Sequence, residues 1–455
     1  MAGQRLSEGT GGEGAMTNEI TADGFPADRV RARAREGAAC AFPPRTGYGT
    51  TLIGAGMDRA TEPGPSDVID SLRLAPPVFM PRRLEKLIDL GREPMYADVD
   101  IACAIGGFRS PLPLFVSALG STKVSGADLG ECVADQAGQL GLPMVIGENI
   151  VPVTGYGRSG ITAVGSMLSR LRHYSSALPD GYGGVAVQQS TQDADAEVWN
   201  LVYSDPGAAA LLDSGRLAFE LKVGQGAKPG LGGMTIVEAK AAAALRGQFA
   251  LDPIFTGADG TAGELLRSAS PGTFTKDILR QQVHLMRNNF PRAKVWVKLH
   301  PGRDVREAAE VCWDAGADAV TVDGAEGGSG WAPLSFLDHV GLPLSECLLE
   351  LGERSECLLV TGRMWEGARV VKTLALGARA AGLGRAAFLA VNEDREQGLI
   401  RLVQCLALEV RLLISALGKY ACGDVSAEDL WPVPPRRGMC PEGAAERLTE
   451  VLCTA

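Results

Sequence analysis

"KVWVKLHPGRDVREAAEVCWDAGADAVTVD", residues 294–323, carries the pattern that decides the fold. It opens on a short, nearly continuous apolar run, passes through a helix-like stretch that closes on glycine, and ends on a second apolar run. A strand with one wet face alternates apolar and polar residues, whereas a strand covered on both faces stays apolar throughout. Two such runs joined by a helix make a parallel βαβ unit.

The unit repeats in both directions. Strand-like runs occupy 113–118 (PLFVSA), 143–147 (PMVIG), 184–188 (GVAVQ), 217–223 (LAFELKV), 294–299, 318–323, 357–361 (CLLVT) and 379–384 (RAAGLG). Helix-like stretches such as "ADLGECVADQAGQL" and "EGARVVKTLALG" lie between them. Eight strands alternating with helices predict an α/β chain built as a (β/α)8 TIM barrel over residues 113–392, with a doubly wound open sheet as the alternative. Residues 1–65 have no sustained period and read as a partly disordered tail. Residues 66–112 read as a helical lead-in, and 393–455 as a helical C-terminal extension that begins with the long amphipathic "EQGLIRLVQCLALEVRLLISALG". The stretch 224–293 is too long for a simple strand-to-helix connection and reads as a long loop on the functional face.

Composition narrows the function. Of 455 residues, 45% are apolar and 22% charged, as in ordinary globular proteins, and the net charge is −10 with no basic block. Nucleic acid is therefore not an expected partner, because binding phosphate backbones needs clustered Lys and Arg. No apolar run is long enough to span a bilayer, no segment reads as a signal peptide, and the ten scattered cysteines contain no C-x-x-C pair. These features fit a cytoplasmic chain with no membrane association. Four histidines, none at ligand spacing, predict no metal site.

Glycine clusters mark the predicted strand ends. "KVGQGAKPGLGGM" (222–234) follows the fourth, "DGAEGGSG" (323–330) the sixth, "TGRMWEG" (361–367) the seventh and "GLGRAA" (382–387) the eighth. Turns alone do not require paired glycines at each of these places. Glycines at strand ends beside a helix N-terminus do suit a bound phosphate. Lys298 interrupts an apolar strand, so it is expected to face an anionic or polar partner in the barrel mouth, or to sit in an internal salt bridge.

"ELKVGQGAKPGLGG" (220–233) resembles the signature of the FMN-binding barrel of glutamate synthase, Gln-Gly-Ala-Lys-Pro-Gly-x-Gly-Gly. "PLFVSALGS", "GEN" and the block from Val297 to Pro343 resemble that family in the same order, over about residues 70–430. The resemblance implies FMN as cofactor and hydride transfer between reduced flavin and an imine or 2-oxo acid. It places Ser117, Ala118 and Gly120 along the flavin ring, and Gln188 and Lys298 at the isoalloxazine. It places Gly324, Gly327, Gly328, Gly362, Arg363, Gly382, Gly384 and Arg385 around the ribityl phosphate. Glu148 becomes the acid/base candidate, with Lys228 and Lys298 beside it in the catalytic set. Lys222, Gln225, Lys228, Met234, Arg246 and Glu148 would face a small substrate that bears a carboxylate.

The sequence departs from the family where electrons and substrate enter. The three-cysteine iron–sulfur motif is absent after strand eight, where "LAVNEDREQGLIRLVQC" stands, so no iron–sulfur cluster is expected. Electrons are then expected from NAD(P)H, ferredoxin or a flavoprotein partner. No amidotransferase segment precedes the barrel, so ammonia would come from a separate subunit. Met234 replaces a polar residue, "SASPGTFT" replaces a histidine-bearing loop, and Arg363 and Trp365 replace Gly and Lys. The resulting expectation is a glutamate-synthase-like FMN oxidoreductase with a non-standard substrate, able to form homo-oligomers. Alternatives are a flavin isomerase, a 2-hydroxy-acid oxidase with His300 as base, or a non-catalytic barrel subunit.

Overall fold

The computed structural model describes residues 20, 22, 24–47, 68–119, 123–124, 127–147, 164–190, 198–224, 234–247, 249–256, 262–268, 272–328 and 332–432. Eight parallel strands close into a barrel: β1 (Leu114–Leu119), β2 (Met144–Ile146), β3 (Val185–Gln189), β4 (Leu217–Lys222), β5 (Lys294–Leu299), β6 (Ala319–Asp323), β7 (Leu358–Thr361) and β8 (Ala380–Leu383). Each pairs with its neighbour in sequence, and β8 closes on β1 through Gly382 opposite Phe115. All eight predicted strands are present, with every end within one residue of expectation.

The barrel interior is layered by the two-residue period of the strands. One residue from each strand fills the lowest layer: Phe115, Val145, Ala186, Ala218, Trp296, Ala319, Leu359 and Ala380, all buried. A hairpin of Cys103–Ile105 and Phe108–Ser110 closes this end, pressing Ile105 and Phe108 into the same cluster. Its turn is held by Trp296, whose indole donates to the Gly106 carbonyl at 2.9 Å. Gly106 has φ +53°, and a Cβ there would lie 2.4 Å from the Trp296 ring, so glycine is required by both backbone and space.

Two regions differ from expectation. The stretch after β4 is not a long loop: Met234–Glu238, Ala250–Thr256 and Ala262–Ser268 form a three-stranded antiparallel sheet, with the last strand in the middle. Its segments are short and bounded by glycines, which conceals the alternation that buries Leu265 and Arg267 on one side. Arg267 stacks over Phe249 at 4.1 Å. Helix Lys276–Asn289 then leads into β5, started by the Thr275 hydroxyl, which accepts from the Ile278 amide at 3.2 Å.

The second difference lies near the N-terminus, where helix α1 (Ala27–Glu36) stands in a stretch without an obvious period. Val30 and Ala34 are its buried apolar residues, while Arg31 and Arg33 are also buried. Arg33 donates to Glu409 at 2.5 Å, so the helix docks through charge as much as through apolar contact. Glu409 belongs to α3 (Gly398–Ala416), the long helix after the barrel; a short helix α2 (Val68–Ser71) precedes the barrel. Strand Arg73–Leu74 pairs antiparallel with Leu430–Trp431, tying the lead-in to the C-terminal extension. Among the described residues, no helix is long and apolar enough to cross a membrane.

Candidate functional site

Two residues above the apolar layer, the same inward-facing period places Ser117, Gln188, Glu220, Lys298, Thr321, Thr361 and Gly382. A further two residues along come Lys222, Asp323 and Gly384. The barrel therefore changes from apolar at its closed end to polar at its C-terminal mouth, where β-barrel enzymes of this architecture carry their sites.

This polar ring is internally connected. Lys298 Nζ lies 2.9 Å from Asp323 Oδ2, and the Thr361 hydroxyl donates to Asp323 Oδ1. Gln188 Nε2 donates to Glu220 Oε2 at 2.5 Å, and Thr321 Oγ1 donates to the other Glu220 oxygen at 3.1 Å. Burial alone would lower the Lys298 pKa, but the Asp323 and Glu220 carboxylates overcome it and hold the ammonium above its ordinary value. Burial pushes Glu220 up, against the favourable pull of Lys298, Gln188 and Thr321. Lys222, opposite Lys298 in the β4–β5 register, is pushed down to about 7 by burial and by the Lys298 charge, with Asp323 opposing. The mouth thus holds one lysine fixed as a cation and a second near half-protonation at neutral pH.

Beside the ring, the ends of β6, β7 and β8 form a glycine-rich corner. Gly362 has φ +144°, and a Cβ at Gly382 would fall 2.6 Å from the Phe115 ring. At Gly384 a Cβ would stand 3.1 Å from the Ser117 hydroxyl. Gly384 caps the N-terminus of helix Arg385–Glu393. Arg385 donates to the Glu326 carbonyl at 2.6 Å and lies over Phe25 at 4.5 Å. Burial, followed by the nearby Arg363 charge, lowers the Arg385 pKa. Two guanidinium groups close enough to repel, at glycine-lined strand ends and a helix N-terminus, make a corner suited to an anion.

The N-terminal elements brace this corner. Asp70 of α2 accepts from Arg363 at 2.5 Å and from Arg369 at 2.8 Å, while its carbonyl accepts from Lys372 at 2.9 Å. Arg369, fully buried, also donates to Glu326 at 2.8 Å and to the Gly362 carbonyl at 3.0 Å. Arg29 and Arg33 of α1 stack on Trp365 at 4.3 and 4.7 Å. The two unusual residues of the seventh loop, Arg363 and Trp365, are therefore each matched by N-terminal partners.

Of the predicted site residues, Ser117, Ala118, Gln188, Lys222 and Lys298 lie on the barrel strands. Gly324, Gly327, Gly328, Gly362, Arg363, Gly382, Gly384 and Arg385 lie at or just beyond the strand ends. Both expectations for Lys298 hold together, since it faces the mouth and is ion-paired. Met234 begins the inserted sheet, opposite Ser268, and Arg246 is exposed beyond helix Ala239–Leu245 rather than part of the buried ring. His300 Nδ1 lies 3.3 Å from the Val223 carbonyl. Gly120, Glu148, Gln225 and Lys228 fall outside the described residues. Sequence reasoning missed Glu220, Thr321, Asp323, Thr361 and Asp70. The first four carry a signal in hindsight, being polar at two-residue spacing inside otherwise apolar strands; Asp70 carries none.

The fold and this site define a (β/α)8 barrel with an ionic C-terminal mouth beside an anion-suited corner. Residues 261–397 match the family model described as the conserved region in glutamate synthase, and over that stretch the chain is similar to glutamate synthase. An archaeal-type glutamate synthase [NADPH] of Thermotoga maritima is 28% identical over 248 residues, 52% of this chain and 47% of that protein. A glutamate synthase large subunit-like protein of Rhizobium meliloti is 35% identical over 188 residues, 39% of this chain and 40% of that protein. The chain thus spans about half or less of the length of these relatives. The fold is shared with an oxidized active mutant of (S)-mandelate dehydrogenase (TM-score 0.54, 17% identity, 89% of this chain and 99% of that one). It is also shared with a flavocytochrome b2 variant with sulfite bound (TM-score 0.50, 16% identity, 84% and 81%).

Proposed function

We propose that the chain is an FMN-dependent oxidoreductase that transfers hydride between reduced flavin and an imine or 2-oxo acid other than the family's usual substrate. The observation that carries this reading is the Lys298–Asp323 pair, a buried and permanently charged lysine at the mouth of a glutamate-synthase-like barrel. The residues present fit FMN. The glycine corner leaves room that a Cβ at Gly384 would take, and Arg363 and Arg385 bring positive charge to it. FMN, when bound, supplies the acceptor and donor of the hydride.

The chain's own groups would do the rest. Gly324, Gly327, Gly328, Gly362, Arg363, Gly382, Gly384 and Arg385 would hold the phosphate, with the helix that begins at Arg385 adding its N-terminal amides. Ser117, Ala118, Gly120 and Gln188 would line the ring. Lys298 would stabilise negative charge on the reduced ring. Lys222, Gln225, Lys228, Met234 and Arg246 would receive the substrate, the cations pairing with its carboxylate, and Glu148 would exchange the proton of the amine or imine. Electrons would come from NAD(P)H, ferredoxin or a flavoprotein partner, and ammonia from a separate subunit.

The test is a visible spectrum of the purified chain. Flavin absorption bands that bleach with dithionite support the reading; a colourless chain that takes up no added FMN ends it. Reoxidation of the reduced chain by a panel of imino acids then identifies the substrate. Rapid reoxidation by 2-oxoglutarate with ammonium would overturn the inference of a changed substrate.

A further inference from the structure

At the closed end of the barrel, far along the strands from the mouth, two cysteines distant in sequence, Cys103 and Cys422, are brought close together. Cys103 opens the plugging hairpin, and Cys422 opens a short helical turn, Cys422–Asp424, that follows α3. Their backbones are clamped together. Asp100 donates its amide to the Tyr420 carbonyl at 2.9 Å, and the Cys422 amide donates to the Asp100 carbonyl at 3.0 Å. Asp100 and Ala421 form a parallel bridge. The Cys422 thiol donates to the carbonyl of Ala102, the residue next to Cys103, at 3.6 Å, and the two sulphurs are near enough to shift one another's ionisation. Both cysteines are partly exposed, whereas Cys312, Cys347 and Cys405 are buried.

We propose that Cys103 and Cys422 are a redox-active thiol pair that closes to a disulfide when a hydroperoxide reaches them. Two neighbouring thiols on chain segments already joined by backbone hydrogen bonds need little movement to join. Their proximity also makes them unlike one another. The neighbouring Cys103 lowers the Cys422 pKa, against the opposing effects of burial and Asp100. The neighbouring Cys422, together with burial and the nearby sulphur of Cys357, raises that of Cys103. Cys422 is thus the nucleophile and Cys103 the resolving thiol.

The chemistry balances. The Cys422 thiolate attacks one peroxide oxygen, the O–O bond breaks, and the departing oxygen takes a proton to leave as water or alcohol. Cys422 is then a sulfenic acid. The Cys103 sulphur attacks the Cys422 sulphur, the S–O bond breaks, and hydroxide leaves as water with the Cys103 proton. Two thiols are oxidised to one disulfide and one hydroperoxide is reduced; a dithiol reverses the change. The bond would fasten the hairpin that plugs the barrel to the C-terminal extension.

Cys357 provides an internal control. It lies near Cys103, but its sulphur accepts from the Gly106 amide at 3.2 Å and burial pushes its pKa up to about 11. The experiment exposes the reduced full-length chain to hydrogen peroxide, alkylates the remaining thiols and maps the peptides by mass spectrometry. The expected result is a Cys103–Cys422 cross-linked peptide and the loss of two alkylatable thiols, both reversed by dithiothreitol. Cys422→Ser should abolish the link, Cys103→Ser should leave a sulfenic acid at Cys422 that dimedone traps, and Cys357→Ser should change neither. Peroxide that leaves both thiols alkylatable, or a link from Cys103 to Cys357, overturns the proposal. The wild-type peptide map decides the matter even where a serine variant fails to fold, and the result does not depend on flavin binding.

Discussion

Lys298 and Asp323 face each other across adjacent strands at 2.9 Å, with the Thr361 hydroxyl on the second carboxylate oxygen. Replacing Asp323 with Asn keeps the shape and removes the charge. Lys298 would remain buried with only Glu220 to offset it. Removing one partner of a buried pair costs about 3–5 kcal/mol. Asp323→Asn should lower stability by about 3 kcal/mol in urea unfolding, and a variant as stable as the parent would show that the pair is not mechanically important.

Lys222 gives the mouth a pH dependence. Its folded pKa of about 7 lies below the ordinary lysine value of 10.5. Below pH 7 both folded and unfolded chains are protonated there, and the folded state bears the full cost of the buried charge. As pH rises from about 7 towards 10.5, the folded chain is neutral while the unfolded chain still binds the proton, so stability rises. Lys222→Met should therefore be more stable than the parent at pH 6, and the gap should shrink as pH climbs through that window. Denaturant titrations of both chains at several pH values measure it; a gap that widens with pH contradicts the assignment.

Gly384→Ala and Gly382→Ala should separate binding from stability. At Gly384 the new methyl meets only the Ser117 hydroxyl, at 3.1 Å, which can turn aside. That variant should fold and bind FMN at least tenfold more weakly, about 1.4 kcal/mol, by fluorescence titration. At Gly382 the methyl meets the Phe115 ring at 2.6 Å inside the barrel, and overpacking should cost about 1–3 kcal/mol of stability.

Asp70 links the lead-in to the loop and helix that follow the seventh strand. Asp70→Asn keeps hydrogen-bonding capacity but removes the charge shared by Arg363 and Arg369. Arg369 retains Glu326 and the Gly362 carbonyl, so the loss should be about 2 kcal/mol rather than collapse. Faster proteolysis near residues 68–74 is the accompanying readout; unchanged cleavage and stability would exclude the bracing role.

The barrel was legible because strands buried on both faces leave an unbroken apolar signature, and because glycines cluster at the ends of the fourth, sixth, seventh and eighth strands. Lys298 was legible as a charge where none belongs. Asp323 was harder, since a single acid at the end of a strand also looks like a strand terminus, and Glu220 stands beside Lys222 at the polar end of its strand. The inserted sheet was hidden by short strands between glycines. Helix α1 was hidden because half of its buried face is arginine, whose partner Glu409 lies 376 positions away. Pairings made at that distance leave no local period.

The hairpin locked under Trp296 has a kinetic consequence. Among the described residues this end of the barrel is stoppered, so under the proposed function whatever reacts above Lys298 would come in from the mouth. A reductant and the compound it ultimately reduces would then have to take turns, each vacating before the other enters, so the order of events would be set by the shape of the vessel and not by the affinities of its visitors.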